Sequence, residues 1–237
     1  MKFRAQLVLA LTALLAACAQ PEHGPQPVTA STSAPAEFPA AAYAQVAAQR
    51  QKVLRVDPAL SQIAITVRSG GPLARLGHDH VVSSRELQGY VAPEQGRADL
   101  YLALDSLSVD EPALRAEAGF DTQPSAADIA GTRANMLTKV LQTRQFPFVL
   151  IHVRAAPAAA GAVPLAVDIT LHGVTRSFSV PADIERDGHG LRVHGRLAFD
   201  QSVFGIAPFS ILGGAIQVQD RVELRFDVRA SERPAVP

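Results

Sequence analysis

Residues 165–206 read LAVDITLHGVTRSFSVPADIERDGHGLRVHGRLAFDQSVFGI, and their apolar side chains recur at every second position. Leu165, Val167, Ile169 and Leu171 alternate with Ala166, Asp168, Thr170 and His172, the period of a strand with one buried face. Gly173 interrupts the run. Val174, Phe178 and Val180 then repeat it against Thr175, Ser177 and Ser179, with Arg176 the one polar residue on the apolar parity. Asp187-Gly188-His189-Gly190 is a turn signal, because glycine reaches positive φ without steric cost and aspartate tolerates turn geometry. Leu191, Val193, Leu197 and Phe199 follow against Arg192, His194, Arg196 and Ala198. Three consecutive strands with all their apolar residues on one side form an antiparallel meander. Such a meander has to close over something, so what fills its inside is the functional question.

Outward from this stretch the same period recurs. Ile63, Ile65 and Val67 alternate with Gln62, Ala64, Thr66 and Arg68, preceded by a short extended piece broken at Pro58. Residues 81–91 form a poorer strand, residues 99–105 a clean one, and Val149, Ile151 and Val153 begin another. The last, Val222, Leu224, Phe226 and Val228 against Glu223, Arg225, Asp227 and Arg229, is the cleanest. Between 111 and 147 the period changes. Ser125 with Asp128 predicts a capping box, and Ile129, Met136, Leu137, Val140 and Leu141 follow helical spacing up to Phe146-Pro147. The expectation is an all-β domain with one inserted helix that covers an end or an edge. An antiparallel barrel of about eight strands is wide enough to be filled by side chains or to hold one small ligand.

The chain has 237 residues, 22 basic and 22 acidic side chains, one cysteine and no tryptophan. Balanced charge without a basic block, together with few aromatics, argues against nucleic acid as a partner. Lys2 and Arg4 followed by an apolar run at residues 7–15 have the layout of an export signal, too short to span a bilayer. Leu15-Ala16-Ala17-Cys18 resembles a lipobox, so residues 1–17 are expected to be a cleaved signal peptide and Cys18 a lipidated anchor. Cys18 is the sole cysteine, and no disulfide can form within the chain. Ala19 after it favours the outer membrane by resemblance to the enterobacterial sorting rule, with the domain facing the periplasm. Residues 18–51, rich in proline, alanine, serine and threonine, are expected to be a flexible tether holding a short helix at 40–51. The folded domain is expected over 52–231 and a disordered tail over 232–237.

From about Val53 to Ala230 the chain resembles the YceI-like family of bacterial secreted and periplasmic proteins. The residues that carry the resemblance are Val56-Asp57-Pro58 with Ser61, Phe146-Pro147, Leu171-His172-Gly173-Val174-Thr175, and GRLAFDQSVFGI at 195–206. Two positions depart from the family pattern: Pro58-Ala59-Leu60 stands between Asp57 and Ser61, and Gln201 replaces an arginine. The resemblance implies an extended lipocalin-like barrel. It also implies non-catalytic binding or transport of an amphiphilic lipid such as an isoprenoid, an isoprenoid quinone or a fatty-acid derivative, with the lipid as ligand and no other cofactor.

Pleat parity then nominates the lining: Ile65, Val67, Leu102, Leu104, Val167 and Ile169 in the first strands. Phe178, Leu197, Phe199, Leu224 and Phe226 complete it, with Phe204, Ile206 and Phe209 in a loop that can cover a mouth. Each position also satisfies plain core packing, which leaves a ligand-free structural or partner-binding lipoprotein as an alternative. A homodimer is equally compatible with the sequence. The rival chemistry is His78-Asp79-His80, where two imidazoles two residues apart on an extended segment point the same way and offer a metal site or metal-dependent enzyme its first ligands. No H-E-x-x-H, G-x-S-x-G or glycine-rich phosphate loop accompanies it.

Overall fold

The computed structural model describes residues 33–232. Cys18, the expected signal peptide, the first part of the expected tether and residues 233–237 lie outside them. Twelve strand segments form one antiparallel sheet that closes on itself. Four strands are long and unbroken: β8 (Gly161–Leu171), β9 (Val174–Arg186), β10 (Gly190–Asp200) and β12 (Ile216–Ser231). With β7 (Phe148–Arg154) they make the meander legible in residues 165–206. His172 and Gly173, at φ 54° and 74°, form the two-residue turn between β8 and β9.

The first three strands of the barrel are each broken in two. β1 (Leu54–Val56) and β2 (Gln62–Gly70) both pair with β12 and flank a 3₁₀ turn at Pro58–Leu60. β3 (His80–Ser84) and β4 (Gln88–Ala92) continue one another alongside them, as do β5 (Arg97–Ala103) and β6 (Ser108–Val109) across a turn at Leu104–Ser106. Because β1 bonds to both β4 and β12, the ring closes with eight strands, as the alternation predicts. A two-residue segment, β11 (Ser210–Ile211), hairpins onto the start of β12.

The break at Pro58 is stitched by the residues that carry the family resemblance. Asp57 Oδ1 accepts the Ala59 N–H at 3.1 Å, while Ser61 Oγ donates to the Asp57 carbonyl at 2.7 Å and accepts the Arg229 N–H at 3.0 Å. Both side chains are buried, so the bonds replace the ladder that proline interrupts. Phe146 lies on the β8–β9 turn, where a Cβ on Gly173 would meet its ring at 2.9 Å. Gln201, in place of the family's arginine, donates to the Gln219 carbonyl at 3.0 Å.

Three helices attach to this barrel, where the sequence reading expected a short tether helix and one inserted helix. The capping box forms as expected: Ser125 Oγ accepts the Asp128 N–H at 3.2 Å, and Asp128 accepts the Ser125 N–H at 3.1 Å. It opens α3 (Ala126–Asn135), which continues as a wider π turn over Met136–Val140 and ends before Phe146. Ile129, Met136 and Leu141 pack onto Leu104, Leu107 and Val109 where β6 and β7 part. Arg133 donates to the Leu107 carbonyl at 2.8 Å and to the Asp105 carbonyl, two acceptors that the parting leaves without a ladder.

The helix labelled α2 (Pro112–Glu117) has no counterpart in the sequence reading. It lies on the outer face, with Leu114 on Ala64 and Val81. The remaining helix, α1 (Ala40–Ala48), is not part of a free tether. Phe38 meets Tyr101 edge-on with ring centroids 4.7 Å apart, and Tyr43 is 3% exposed on the outer face of β4 and β5. The tether expected over 18–51 therefore holds a docked helix in its second half. Its composition is alanine-rich, and two aromatic anchors are enough to fix it. Glu232, expected in the tail, pairs with Lys52 at 2.9 Å.

Candidate functional site

Inside the barrel, the side chains of alternate positions do not meet across the whole length. They leave a cavity of about 160 Å³. Its wall is made by β8 through Leu165, Val167 and Ile169, by β10 through Leu191, Val193 and Leu197, and by β12 through Leu224, Phe226 and Val228. Ile63, Leu87, Leu100, Ile151 and Val153 close the other side. The cavity runs toward the end of the barrel bounded by Pro93, Ala155, Ala159 and Arg186. Arg97 and Arg186 are the only charged residues in this lining. Arg97 turns to the outside, where its Nε donates to Asp99 at 2.7 Å and its guanidinium lies over Tyr43. Arg186 continues the inward parity of Val180, Ala182 and Ile184 at the mouth.

Of the lining nominated from the sequence, Val167, Ile169, Leu197, Leu224 and Phe226 border this cavity. The others do not. Ile65 and Val67 pack between the two interior clusters, and Leu102 (3% exposed) and Leu104 are buried in the cluster beneath α3. Leu104 sits in the 3₁₀ turn rather than in a strand, which parity cannot foresee. Phe178, Phe199 and Phe204 form an aromatic cluster with centroids 5.5–6.1 Å apart that closes the far end, with Ile206 beside it. Phe204 and Ile206 are buried rather than spread over a mouth. Phe209 lies under Lys139, whose Nζ is 5.6 Å from the ring. Among the residues missed, Leu100, Leu165, Val180, Ile184, Leu191, Val193 and Val228 share the parity of those named. They were legible in the same pattern, but nothing in one strand says at which height the interior stays empty.

The position of Phe226 depends on Gly195 opposite it. A Cβ on Gly195 would lie 2.7 Å from the Phe226 ring and 2.6 Å from the Pro181 carbonyl, so only glycine lets the ring lie against β10.

The His78-Asp79-His80 segment lies at the far end and is tied up in the fold. Asp79 Oδ1 accepts from the Ser69 N–H and hydroxyl at 2.8 and 2.9 Å. His80 Nδ1 donates to Asp110 at 2.6 Å, and the same carboxylate accepts from Arg115 at 2.7 Å and the Val81 N–H at 3.0 Å. Burial alone would raise the Asp110 pKa, but the bonds from His80, Val81 and Arg115 outweigh it and hold the carboxylate below its usual range. Among the described residues, no three His, Cys, Asp or Glu side chains gather in a metal-holding group. The two imidazoles do face each other at 6.3 Å, as the spacing predicts, yet the segment serves to staple α2 to the barrel.

A sequence profile for the YceI-like domain matches residues 54–230. The chain belongs to the YceI-like family. Among solved structures, a polyisoprenoid-binding domain from Saccharophagus degradans implicated in plant cell wall breakdown superposes with a TM-score of 0.56 at 14% identity, covering 76% of this chain and 97% of its own. Burkholderia cenocepacia BcnA gives a TM-score of 0.52 at 17% identity, with 74% and 99% covered. At these identities the likeness is one of fold. No curated protein matches the sequence. The match begins at Leu54, so this YceI-like protein carries its docked helix α1 outside the region that defines the family.

Proposed function

We propose that this YceI-like protein binds the tail of an amphiphilic lipid in its barrel, without catalysis, while Cys18 anchors it to the outer membrane with the barrel in the periplasm. The observation that carries the reading is the cavity itself: a partly open, apolar space inside a barrel whose far end is filled by Phe178, Phe199 and Phe204. The structural neighbour named for polyisoprenoid binding supports the ligand class.

Small-molecule sites usually measure ~300–1,000 Å³, and a space of about 160 Å³ is narrow by comparison. It suits a single prenyl or acyl tail rather than a ring system. Burial contributes about 0.8 kcal/mol per CH₂, so the tail supplies affinity with little polar recognition. The test is mass spectrometry of an organic extract from the protein purified from its native host's periplasm. A stoichiometric isoprenoid, quinone or acyl species is expected, and an empty extract from folded protein would overturn the reading. Release of the chain from membranes after Cys18→Ser tests the anchor.

A further inference from the structure

At the end of the barrel sealed by α3, two loops lie side by side. Residues 71–77 follow β2 and residues 212–215 precede β12. The Leu73 N–H donates to the Ala215 carbonyl at 2.8 Å, and a Cβ on Gly71 would meet the Gly214 carbonyl at 2.7 Å. Gly77 lies against the Ile216 side chain, and Ile216 pairs with Ile211.

Large apolar side chains project from this loop pair into solvent: Leu76 is 61% exposed, Ile211 46% and Leu212 72%. Leu212 breaks two rules at once. It sits at φ 52°, a conformation that costs a branched residue about 1–2 kcal/mol and that glycine or asparagine adopts readily. It also presents a full leucine side chain to water, although Gly213 and Gly214 beside it show that the turn has small residues to hand. A turn tip selected only for folding has no use for either feature.

The rim of this end carries four unpaired cations. Arg75 and Arg144 in turns, Lys139 at the end of α3 and Arg176 at the start of β9 are exposed, and none forms an ion pair with a carboxylate among the described residues. Several carboxylates of the same end are held within the loops. Asp79 faces Arg68 and Asp200 pairs with Arg221, whereas Asp220 and Asp128 accept only from neutral Ser202 and Ser125 groups and keep their charge, and Asp121 is exposed. Protruding aliphatic side chains ringed by unpaired cations match a surface that is apolar at depth and anionic at its face.

We infer that the paired loops at residues 73–77 and 210–214 form a docking surface for an anionic lipid bilayer, with Leu76, Ile211 and Leu212 entering the acyl region and Arg75 and Lys139 meeting the headgroups. This contact is separate from the cavity and holds whether or not the barrel carries a lipid. With this end on the bilayer, the cavity mouth faces the aqueous side.

Because Cys18 is the only native cysteine, the full chain carrying Cys18→Ser accepts a single environment-sensitive fluorophore at Leu76→Cys or Ile211→Cys. Leu60→Cys, 54% exposed in the turn between β1 and β2, is the control. The probe is vesicles of phosphatidylcholine with and without phosphatidylglycerol. The expected result is brightening at positions 76 and 211 on the anionic vesicles and none at position 60. Leu212→Asn, which keeps the left-handed turn, should raise the lipid concentration for half-maximal brightening at least about tenfold. Two outcomes overturn the inference. One is a chain that sediments with the vesicles while positions 76 and 211 stay dark. The other is brightening that grows with protein concentration in the absence of lipid, which assigns the surface to a second copy of the chain.

Discussion

Asp110 ties α2 to the barrel on the outer face. From the turn after β6 it bonds two elements: β3, through His80 and the Val81 backbone, and α2, through Arg115. Its carboxylate has no exposed surface and Arg115 is 5% exposed, so removing the charge leaves a buried guanidinium without its counter-ion and turns the oxygen that faces His80 into an amide nitrogen. We expect Asp110→Asn to destabilise the protein by about 3 kcal/mol, measured by urea unfolding at neutral pH. The pH dependence follows from the direction of its pKa. The folded value lies below the unfolded one of about 3.9, so its stabilisation is complete above that pH and fades as the pH falls through the folded value. Asp99 behaves alike, since bonds from Tyr43, His152 and Arg97 overcome the effect of its burial. Unfolding free energy should therefore decline as the pH falls below about 4, and the decline should be shallower in Asp110→Asn. An unchanged slope would mean that this carboxylate is not the titrating group. Asp110 also shows what a sequence hides: His78-Asp79-His80 was visible as a cluster, whereas its true partners lie 30 residues along the chain and become visible only when β3 meets the turn after β6.

The element that differs most from its sequence reading is α1. Composition marks residues 18–51 as a tether, and for a short alanine-rich segment it has little else to offer. The helix holds because the Tyr43 hydroxyl donates to Asp99 at 2.7 Å while Phe38 lies on Tyr101. Both contacts depend on which face of β5 is exposed. Asp99 in turn accepts from His152 at 2.6 Å and from Arg97, so one carboxylate joins the helix to two strands. Burial, together with the bond to Asp99, drives the Tyr43 pKa upward, and the hydroxyl stays a donor. Tyr43→Phe should cost about 1.5 kcal/mol. That cost should fall on α1, with amides of Ala40–Ala48 exchanging about tenfold faster while those of β8 to β10 keep their protection. Equal loosening of helix and strands would show that α1 is part of the barrel's cooperative unit. Strands were more legible than helices for a physical reason: a period of two needs only the pleat, whereas the breaks at Leu104–Ser106 and the short α2 follow from how neighbouring strands diverge.

At the scale of the whole molecule, the barrel divides into a packed half and a hollow half. The apolar alternation of β8, β9, β10 and β12 runs through both halves, so the pattern that revealed the fold carries no information about where the interior is filled. Filling is set by what reaches in from outside the pattern. Below α3 the interior receives Ile129, Met136 and Leu141, and next to them the triad of Phe178, Phe199 and Phe204. Toward the mouth the wall is mostly valine, leucine, isoleucine and alanine, with Phe226 its one aromatic ring, and the space remains. This division separates two substitutions of the same kind. Leu224→Trp places an indole at the cavity wall, where room exists, so the domain should keep its thermal midpoint to within a few degrees and lose most of its capacity for a prenyl or acyl tail. Leu102→Trp forces the same ring into a site 3% exposed and surrounded by Leu104, Leu107 and Val109, and should cost about 1–3 kcal/mol through overpacking. The lipid capacity of the Leu102→Trp molecules that stay folded should be near normal. Calorimetry paired with titration of a fluorescent fatty acid reads both quantities on both variants. If Leu224→Trp binds as well as the parent, the tail does not enter the hollow half. If the two variants are equally destabilised, the interior is uniformly packed and the cavity has no role in binding.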